Sequence, residues 1–164
     1  MNEVSIRRAL SRDYPGVSAL MDELHRMHVE ARPDIYRPLQ PRMSQQEFED
    51  LLNAEDRYLY VAEAAEQGEI CGYVSAQLNK IQKVELLMDR DVLFINEIII
   101  DPKYRGRSIG QMMMAVLVEL GKELQADHLE LTVASFNQGA QEFYEKLGLV
   151  VRSSRMEYIL NKLN

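Results

Sequence analysis

Residues 93–111 read Leu-Phe-Ile-Asn-Glu-Ile-Ile-Ile-Asp-Pro-Lys-Tyr-Arg-Gly-Arg-Ser-Ile-Gly-Gln, and this stretch decides the fold. Its apolar run, 93–100, predicts a buried strand, and the Asp-Pro pair after it predicts a turn. The glycine loop 105–110 leads directly into a predicted helix. That helix is indicated by apolar residues that recur with the 3.6-residue period, namely Ile109, Met112, Met113, Val116, Leu117, Leu120 and Leu124.

The loop between this strand and this helix predicts a binding site for a pyrophosphate group. Free backbone N–H groups and the positive end of the helix dipole converge at a helix N-terminus. Gly106 and Gly110 allow the backbone to approach a bulky ligand, because glycine carries no Cβ. Arg105 and Arg107 can add charge-assisted hydrogen bonds.

The loop differs from two other phosphate-binding patterns, and one structural alternative stays open. No Gly-Lys-Ser/Thr ends the loop, so it is not a nucleoside triphosphate loop. It has two glycines where the dinucleotide fingerprint has three, and no acidic residue ends a following strand. Ser108 and Gln111 also have the spacing of a capping box, which would make the stretch only a well-capped helix start.

Composition places the chain among ordinary globular proteins. Its 164 residues, 46% of them hydrophobic, are expected to form a single domain, 1–164. The net charge of −7 argues against nucleic-acid binding and mildly favours cationic small ligands. The lone Cys71 excludes an internal disulfide and is typical of a cytoplasmic protein. We expect no membrane span, no signal peptide and no metal site from the hydropathy and the His and Cys spacing.

The patterns along the chain predict a mixed α/β fold in the order β-α-α-β-β-β-α-β-α-β. Helices are predicted to begin at Asp13, at Ser44 with a capping box, at the glycine loop and at Gln138. Val84–Met88 fits either a strand or a helix. Strands are predicted at 3–9, 58–64, 70–78, 93–100, 128–135 and 149–160.

Together with a second motif, the glycine loop makes the chain resemble the GNAT superfamily of N-acetyltransferases. The family's loop pattern is Arg/Gln-x-x-Gly-x-Gly/Ala; here Arg105 and Gly110 match it, and Ser108 stands at the middle glycine. The family's Asn…Phe-Tyr-x-x-Leu-Gly pattern is matched in full by Asn137 and residues 143–148. The resemblance covers the whole length in element order and implies a central sheet of six to seven strands flanked by about four helices.

The resemblance further implies acetyl-CoA as co-substrate, with no metal. The strand 93–100 is expected to separate from its parallel neighbour at 129–135, so that its unpaired backbone bonds the pantetheine arm. Asn137 would bind the same arm, cap the next helix, or do both. The expected acetyl-CoA residues are Ile98, Ile99, Ile100, Arg105, Gly106, Arg107, Ser108, Ile109, Gly110, Gln111 and Asn137.

The resemblance also suggests the groups that transfer protons. Tyr144 matches the tyrosine credited with protonating the leaving thiolate, although it also lies on an apolar helical stripe and fits core packing. Asn96 stands where the basic carboxylate is most expected, and Thr132 stands where one subgroup has a glutamate. Alternation sends Glu97 to the face opposite Asn96, but a β-bulge would re-aim it. Glu97 is therefore predicted to recognise substrate or to act as a base through water.

The acceptor pocket of the family is built by the first two helices, their connection and the strand 93–100. This implies His28, Asp34, Tyr36 and Asn96 as acceptor-binding residues, with core packing as the alternative for His28. The implied function is acetyl transfer from acetyl-CoA to a primary amine of a small cationic molecule, by direct attack in a ternary complex. A non-catalytic acyl-CoA-binding or regulatory module is the alternative. A homodimer is compatible with either reading; no nucleic-acid or membrane partner is expected.

Overall fold

The computed structural model describes residues 3–161, which form five strands and four α-helices. The predicted order of elements is confirmed as far as the last helix. Two short 3-10 turns, Ser11–Asp13 and Pro102–Tyr104, precede α1 and α3. The elements are β1 (Val4–Arg8), α1 (Tyr14–Ala31), α2 (Gln45–Asn53), β2 (Arg57–Ala64), β3 (Glu69–Ile81), β4 (Arg90–Ile100), α3 (Ile109–Glu123), β5 (His128–Leu131) and α4 (Gln138–Lys146).

The five strands lie in one sheet in the order β1-β2-β3-β4-β5. All neighbours are antiparallel except β4 and β5, which are parallel. The strands alternate between two apolar clusters, as the period of two requires. Val61 and Tyr73 pack with α1 and α2, whereas their neighbours Ala62 and Val74 pack with α3. The sheet is therefore covered by α1 and α2 on one face and by α3 on the other.

The helix α2 begins at a side-chain cap, whereas Asp13, the N-cap of α1, makes no side-chain capping bond. The Ser44 side chain accepts a hydrogen bond from the Glu47 amide, and the Glu47 carboxylate accepts one from the Ser44 amide, so the predicted capping box of α2 is present. Asp13 precedes α1 and is buried, and it accepts two hydrogen bonds from Arg7 at 2.8 and 2.9 Å. Burial raises the pKa of Asp13, but the hydrogen bonds from Arg7 and from the Leu10 amide outweigh it and hold this pKa below its ordinary value.

The sheet has fewer strands than predicted, because the expected last strand, 149–160, is not paired in the described chain. Residues 149–159 carry no strand, and nearly all of their side chains are exposed. An alternating apolar pattern shows which residues can pair, but pairing also needs a neighbouring strand within reach. β5 is also shorter than the predicted 128–135, because residues 132–134 leave the sheet. Residues 84–88 form neither strand nor helix.

Candidate active site

The central opening of the site lies where β4 and β5 separate. The two strands pair in parallel from Val92–His128 to Ile95–Leu131, and their pairing stops there. β4 continues to Ile100 and pairs only with β3 on its other edge. The backbone of residues 96–100 therefore presents a free edge toward the opening, as the sequence predicted.

A β-bulge at Asn96 changes the side that the next residues face. Ser75 of β3 pairs with Glu97 and Ala76 pairs with Ile95, so the register skips Asn96. As a result Ile95 and Ile98 both pack in the α3 cluster, whereas Ile99 packs with α1 and α2. Glu97 lies on the α1–α2 side with Ile99, since alternation resumes after the bulge. The predicted bulge is present.

Glu97 is a partly buried carboxylate in contact with an arginine. Its Oε1 lies 2.9 Å from Nη2 of Arg42, which comes from the connection between α1 and α2, and 17% of its side chain is exposed. Burial raises the pKa of Glu97, and the attraction of Arg42 and Arg57 only partly offsets that effect. Arg57 also donates a hydrogen bond to Oδ1 of Asn96 at 3.1 Å. The site therefore places two guanidinium groups beside one carboxylate.

Two buried hydroxyl groups lie on the same face of β3. Among the residues that the structure describes, neither the Tyr73 hydroxyl nor the Ser75 hydroxyl has a hydrogen-bond partner. Ser75 is directly opposite Glu97, and burial raises the pKa of Tyr73. Sequence analysis missed both residues, as it missed Arg42 and Arg57. The alternation of Tyr73 and Ser75 along β3 was visible, but only the strand register shows that they face Glu97.

The glycine loop has an open backbone cradle. Gly106 and Ser108 have positive φ angles of 76° and 61°. A Cβ at Gly106 would meet no atom within 4 Å, so there is room for a ligand beside it. Ser108 is the N-cap of α3 but makes no side-chain capping bond, so the capping-box alternative with Gln111 is wrong. The Ser108 side chain thus leaves the first amides of α3 available to an anion.

The two arginines of the loop are exposed, and each also contacts the loop's surroundings. Arg105 donates through Nε to the Ile100 carbonyl at 3.3 Å, which ties the loop to the end of β4. Arg107 lies over the ring of Tyr104 at 5.1 Å, and the Tyr104 hydroxyl donates to Glu69 at 2.9 Å. These contacts hold the loop at the mouth of the opening and leave N–H groups of both guanidinium groups for an anion.

The second motif packs directly on the glycine loop. The Phe143 ring lies so close to Gly110 that a Cβ there would be 3.0 Å from the ring. Gly110 therefore allows α4 to pack closely against the start of α3. Tyr144 is half-buried against the α3 cluster, and burial raises its pKa to about 12. Asn137 accepts a hydrogen bond from the Ala140 amide at 3.2 Å, so its predicted capping role is present.

The residues predicted for the acceptor pocket divide into two groups. The rings of His28 and Tyr36 make an edge-to-face contact with their centroids 5.1 Å apart. The His28 ring makes a second such contact with Phe136, with the centroids 5.3 Å apart. Phe136 directly precedes Asn137 and was missed by sequence analysis. The carboxylate of Asp34 accepts two hydrogen bonds from Arg32, at 2.7 and 2.9 Å. Asn96, the fourth predicted residue, lies at the bulge.

Comparison with known proteins agrees with this geometry. The profile of the acetyltransferase (GNAT) family matches residues 19–149. The chain belongs to this family. The family prediction made from the glycine loop and the Asn…Phe-Tyr-x-x-Leu-Gly motif is thus confirmed, and the fold is the α/β GNAT fold with a five-stranded sheet in the described residues.

Three relatives show how far the likeness of this GNAT chain extends. An uncharacterized N-acetyltransferase, MJ1207, from Methanocaldococcus jannaschii is 35% identical over 101 residues, which are 62% of this chain and 42% of that relative. The alignment thus spans less than half of the relative. A mutant of the BH1408 protein from Bacillus halodurans has a TM-score of 0.92 and 29% identity, covering 96% of this chain and 99% of that one. An aminoglycoside N-acetyltransferase in complex with CoA shares the fold alone, with a TM-score of 0.73 and 16% identity over 97% and 95% of the chains.

Two further observations concern the described residues only. No helix among them is both long enough and apolar enough to cross a membrane. In the same part of the chain, no group of three or more His, Cys, Asp or Glu side chains is placed to hold a metal ion.

Proposed function

We propose that this protein transfers the acetyl group of acetyl-CoA to a primary amine of a small cationic molecule, by direct attack while both substrates are bound. The observation that carries the proposal is the opening between β4 and β5 at the Asn96 bulge, which continues directly into the glycine loop. We take residues 1–164 to act as one domain, and the cytoplasm as its location.

In this proposal, acetyl-CoA binds along the free backbone groups of the loop and of β4. The pyrophosphate would lie at residues 105–111, against the first amides of α3 and the exposed arginines. The pantetheine arm would pair with the free edge of residues 98–100, in place of the missing strand. Asn137, which follows β5 at the start of α4, would supply a further amide to the arm. This arrangement brings the thioester to the bulge.

Proton transfer is assigned to Tyr144 and to the neighbourhood of Glu97. The amine nitrogen forms a bond to the acetyl carbon, the bond from that carbon to sulfur breaks, and the nitrogen gives up a proton. Tyr144 donates its hydroxyl proton to the departing thiolate. A pKa of about 12 keeps this hydroxyl protonated through the working pH range. General acid catalysis of this kind contributes about 100-fold to 10,000-fold to the rate.

Glu97 is proposed to bind the amine of the acceptor and to accept its proton, either directly or through water. An acceptor that arrives as an ammonium ion competes with Arg42 for the same carboxylate, because Arg42 already contacts Oε1. Displacement of Arg42 would leave a buried carboxylate with a raised pKa beside the amine, where it can accept a proton. The aminoglycoside enzyme of the same fold acts on a molecule with several amines, which supports this acceptor class.

The second candidate is a non-catalytic acyl-CoA-binding module. The contact between Arg42 and Glu97 favours it, since a carboxylate neutralised by a guanidinium is a poor base. Ser108, which stands at the position of the family's middle glycine, also favours the non-catalytic module.

One pair of measurements separates the two functions. We expect calorimetry to show acetyl-CoA binding at low-micromolar to submillimolar strength. The release of free CoA is then followed with a panel of polyamines, aminoglycosides, amino acids and peptides with a free N-terminus. Binding with amine-dependent CoA release supports the enzyme, and binding without release for every amine supports the module. No binding of acetyl-CoA would contradict both.

A further inference from the structure

Arg57 is a charged residue of the acceptor half that the proton transfer described above does not use. It lies on the same face of β2 as Leu59, which packs with α1 and α2. Its guanidinium group spans β3 and donates to Oδ1 of Asn96 on β4 at 3.1 Å. Among the described residues, no carboxylate lies within ion-pair distance of Arg57. The carboxylate of Asp56, its neighbour in sequence, accepts a hydrogen bond from Gln77 at 2.7 Å.

Asn96 orients Arg57 without neutralising it. The amide oxygen of Asn96 accepts a hydrogen bond and carries no charge, whereas a carboxylate at this position would pair with the guanidinium. A guanidinium group has five N–H donors in a planar fork, so most of them remain after the bond to Asn96. This fork matches the geometry of a carboxylate. Arg57 is therefore a positioned cation with donors that are free to bind an anion.

The Ser75 hydroxyl is a second donor on the same face of the sheet. Ser75 is 1% exposed, pairs directly with Glu97 in the strand register, and has no hydrogen-bond partner among the described residues. Buried hydroxyl groups in native proteins nearly always have a partner. The Arg57 guanidinium reaches Asn96, the residue before Glu97, so both donors are directed at one part of β4. A ligand bound there can meet a guanidinium group and a hydroxyl group together.

The charges around Glu97 indicate which acceptor fits this face. Arg42 contacts the carboxylate of Glu97 at 2.9 Å, and Arg57 is a second positive group close to it. An acceptor with ammonium groups alone would bring a third positive group beside one carboxylate. Unbalanced charge is costly in a partly buried site. An acceptor that carries a carboxylate of its own balances the ammonium charge that it brings.

We propose that the acceptor carries a carboxylate beside its amine, as a basic amino acid does, and that Arg57 binds this carboxylate while Glu97 binds the amine. The inference rests on the proposed function and narrows its acceptor class. Free lysine, ornithine and arginine are cationic as whole molecules, and each has an α-carboxylate. The carboxylate accepts two hydrogen bonds from the guanidinium fork and one from the Ser75 hydroxyl. Arg57 thus selects the acceptor through a group that does not react.

The test follows the release of CoA by the full chain with acceptors that differ only in the carboxylate. Free lysine, ornithine and arginine are each compared with their carboxamides, which keep the same amines. We expect kcat/KM to be about 10-fold to 100-fold higher for the amino acid than for its amide, as for the loss of a charge-assisted hydrogen bond. This preference should disappear in Arg57→Gln. The control, Arg8→Gln, removes a positive charge that lies over Tyr58 and Tyr60 on the α3 side of the sheet, and it should keep the preference.

Asn96→Asp tests the same contact with the arginine retained. The new carboxylate would occupy the guanidinium of Arg57, so this variant should lose the preference for the amino acid just as Arg57→Gln does. Circular dichroism checks that each variant is folded. The ratio of kcat/KM between the two acceptors also cancels any general loss of active protein, which a merely structural role of Arg57 would cause.

The outcomes separate this inference from the proposed function. A wild type that uses the carboxamides, polyamines or peptides as well as the amino acids would overturn the inference and leave the acetyltransferase proposal in place. A preference for the amino acid that persists in Arg57→Gln, or that is lost equally in Arg8→Gln, would overturn it too. Binding of acetyl-CoA without CoA release for any amine would contradict the proposed enzyme and this inference with it.

Discussion

One half of the candidate site is formed by backbone groups and the other half by side chains. The acetyl-CoA half consists of backbone features: a free strand edge, left-handed φ angles at Gly106 and Ser108, and the open end of α3. The acceptor half consists of side chains from separate elements, with Arg42 and Arg57 meeting Glu97 across the face of the sheet. A backbone site can hold a ligand shared by a whole family, whereas a set of side chains can differ in each member. We therefore expect the first half to set cofactor affinity and the second to set acceptor choice.

The largest effect should come from Tyr144, the side chain of the acetyl-CoA half to which we assign protonation of the leaving thiolate. Tyr144→Phe removes the hydroxyl and keeps the ring that packs against the α3 cluster. Turnover should fall about 100-fold, with acetyl-CoA affinity nearly unchanged, because the proton is needed only in the transition state. Steady-state kinetics and calorimetry measure the two quantities. Tyr60→Phe, which removes a hydroxyl on the α3 side of β2, is the matched control and should change neither.

If turnover in Tyr144→Phe equals that of the wild type, Tyr144 is a packing residue and water protonates the thiolate. The acetyl-CoA half would then be a binding surface with no chemical group of its own. That result would make the contrast between the two halves sharper.

The second prediction concerns the charge at the mouth of the glycine loop. Arg105→Ala should weaken acetyl-CoA binding by about 1–3 kcal/mol, roughly 5-fold to 150-fold, through loss of a charge-assisted contact to phosphate. Binding should also weaken with added salt, because the guanidinium is exposed. Lys103→Ala removes one positive charge from the same turn and serves as the control in the same calorimetry. Equal losses in both variants would mean that net charge, and not a specific contact, holds the pyrophosphate.

The same difference between backbone groups and side chains explains which parts of the site could be predicted from sequence. The glycine loop, the helix start and the motif around Tyr144 are local patterns, and the structure places them together through Phe143 and Gly110. The bulge at Asn96 could be anticipated only from the family resemblance, because alternation alone would turn Glu97 away. Family membership followed from these same short stretches.

What sequence analysis missed depends on distant contacts. Arg42 lies in a proline-containing connection with no periodic pattern, and only the packing of α1 and α2 brings it to Glu97. The carboxylate of Asp34, predicted for the acceptor pocket, is bound by Arg32 two residues away, and the sequence pattern did not indicate this ion pair. Residues 149–160 have the apolar pattern of a strand, but the pattern could not show that no other described strand pairs with them.

The third prediction tests the acceptor half at its carboxylate. Glu97→Gln keeps the volume and removes the charge, so KM for a cationic amine should rise about 10-fold with a smaller change in turnover. Arg42→Ala is the complementary variant: it removes the competitor for Glu97 and should lower KM for the same amine. Kinetics identical to the wild type in Glu97→Gln would mean that the acceptor does not reach this face of the sheet.

The pH dependence of kcat/KM also tests the role of Glu97, because the direction of the change can be predicted. Burial raises the pKa of Glu97 above its ordinary value of 4.5, so the ionised form is lost at a higher pH than usual as the solution is acidified. kcat/KM should therefore rise with pH through the raised pKa, and this rise should be absent in Glu97→Gln. Arg42→Ala should move the rise to still higher pH, since the arginine stabilises the charged form.

The smallest expected effect is at Ser108, where the acetyl-CoA half departs from the family pattern. Its φ of 61° lies in the left-handed region, which costs a non-glycine residue about 1–2 kcal/mol. Glycine removes this strain but adds about 0.5–1 kcal/mol of backbone entropy to the unfolded chain. Ser108→Gly should therefore raise the free energy of unfolding by roughly 0.5–1 kcal/mol, the difference between these two effects. Ser108→Ala is the matched control, because it removes the hydroxyl and retains the strain; urea denaturation and calorimetry with acetyl-CoA measure both variants.

If the serine is only a strained spacer, both variants bind acetyl-CoA like the wild type, since the backbone N–H is the same in all three. If both lose affinity to the same extent, the hydroxyl contacts a phosphate, and this half of the site uses a side chain after all.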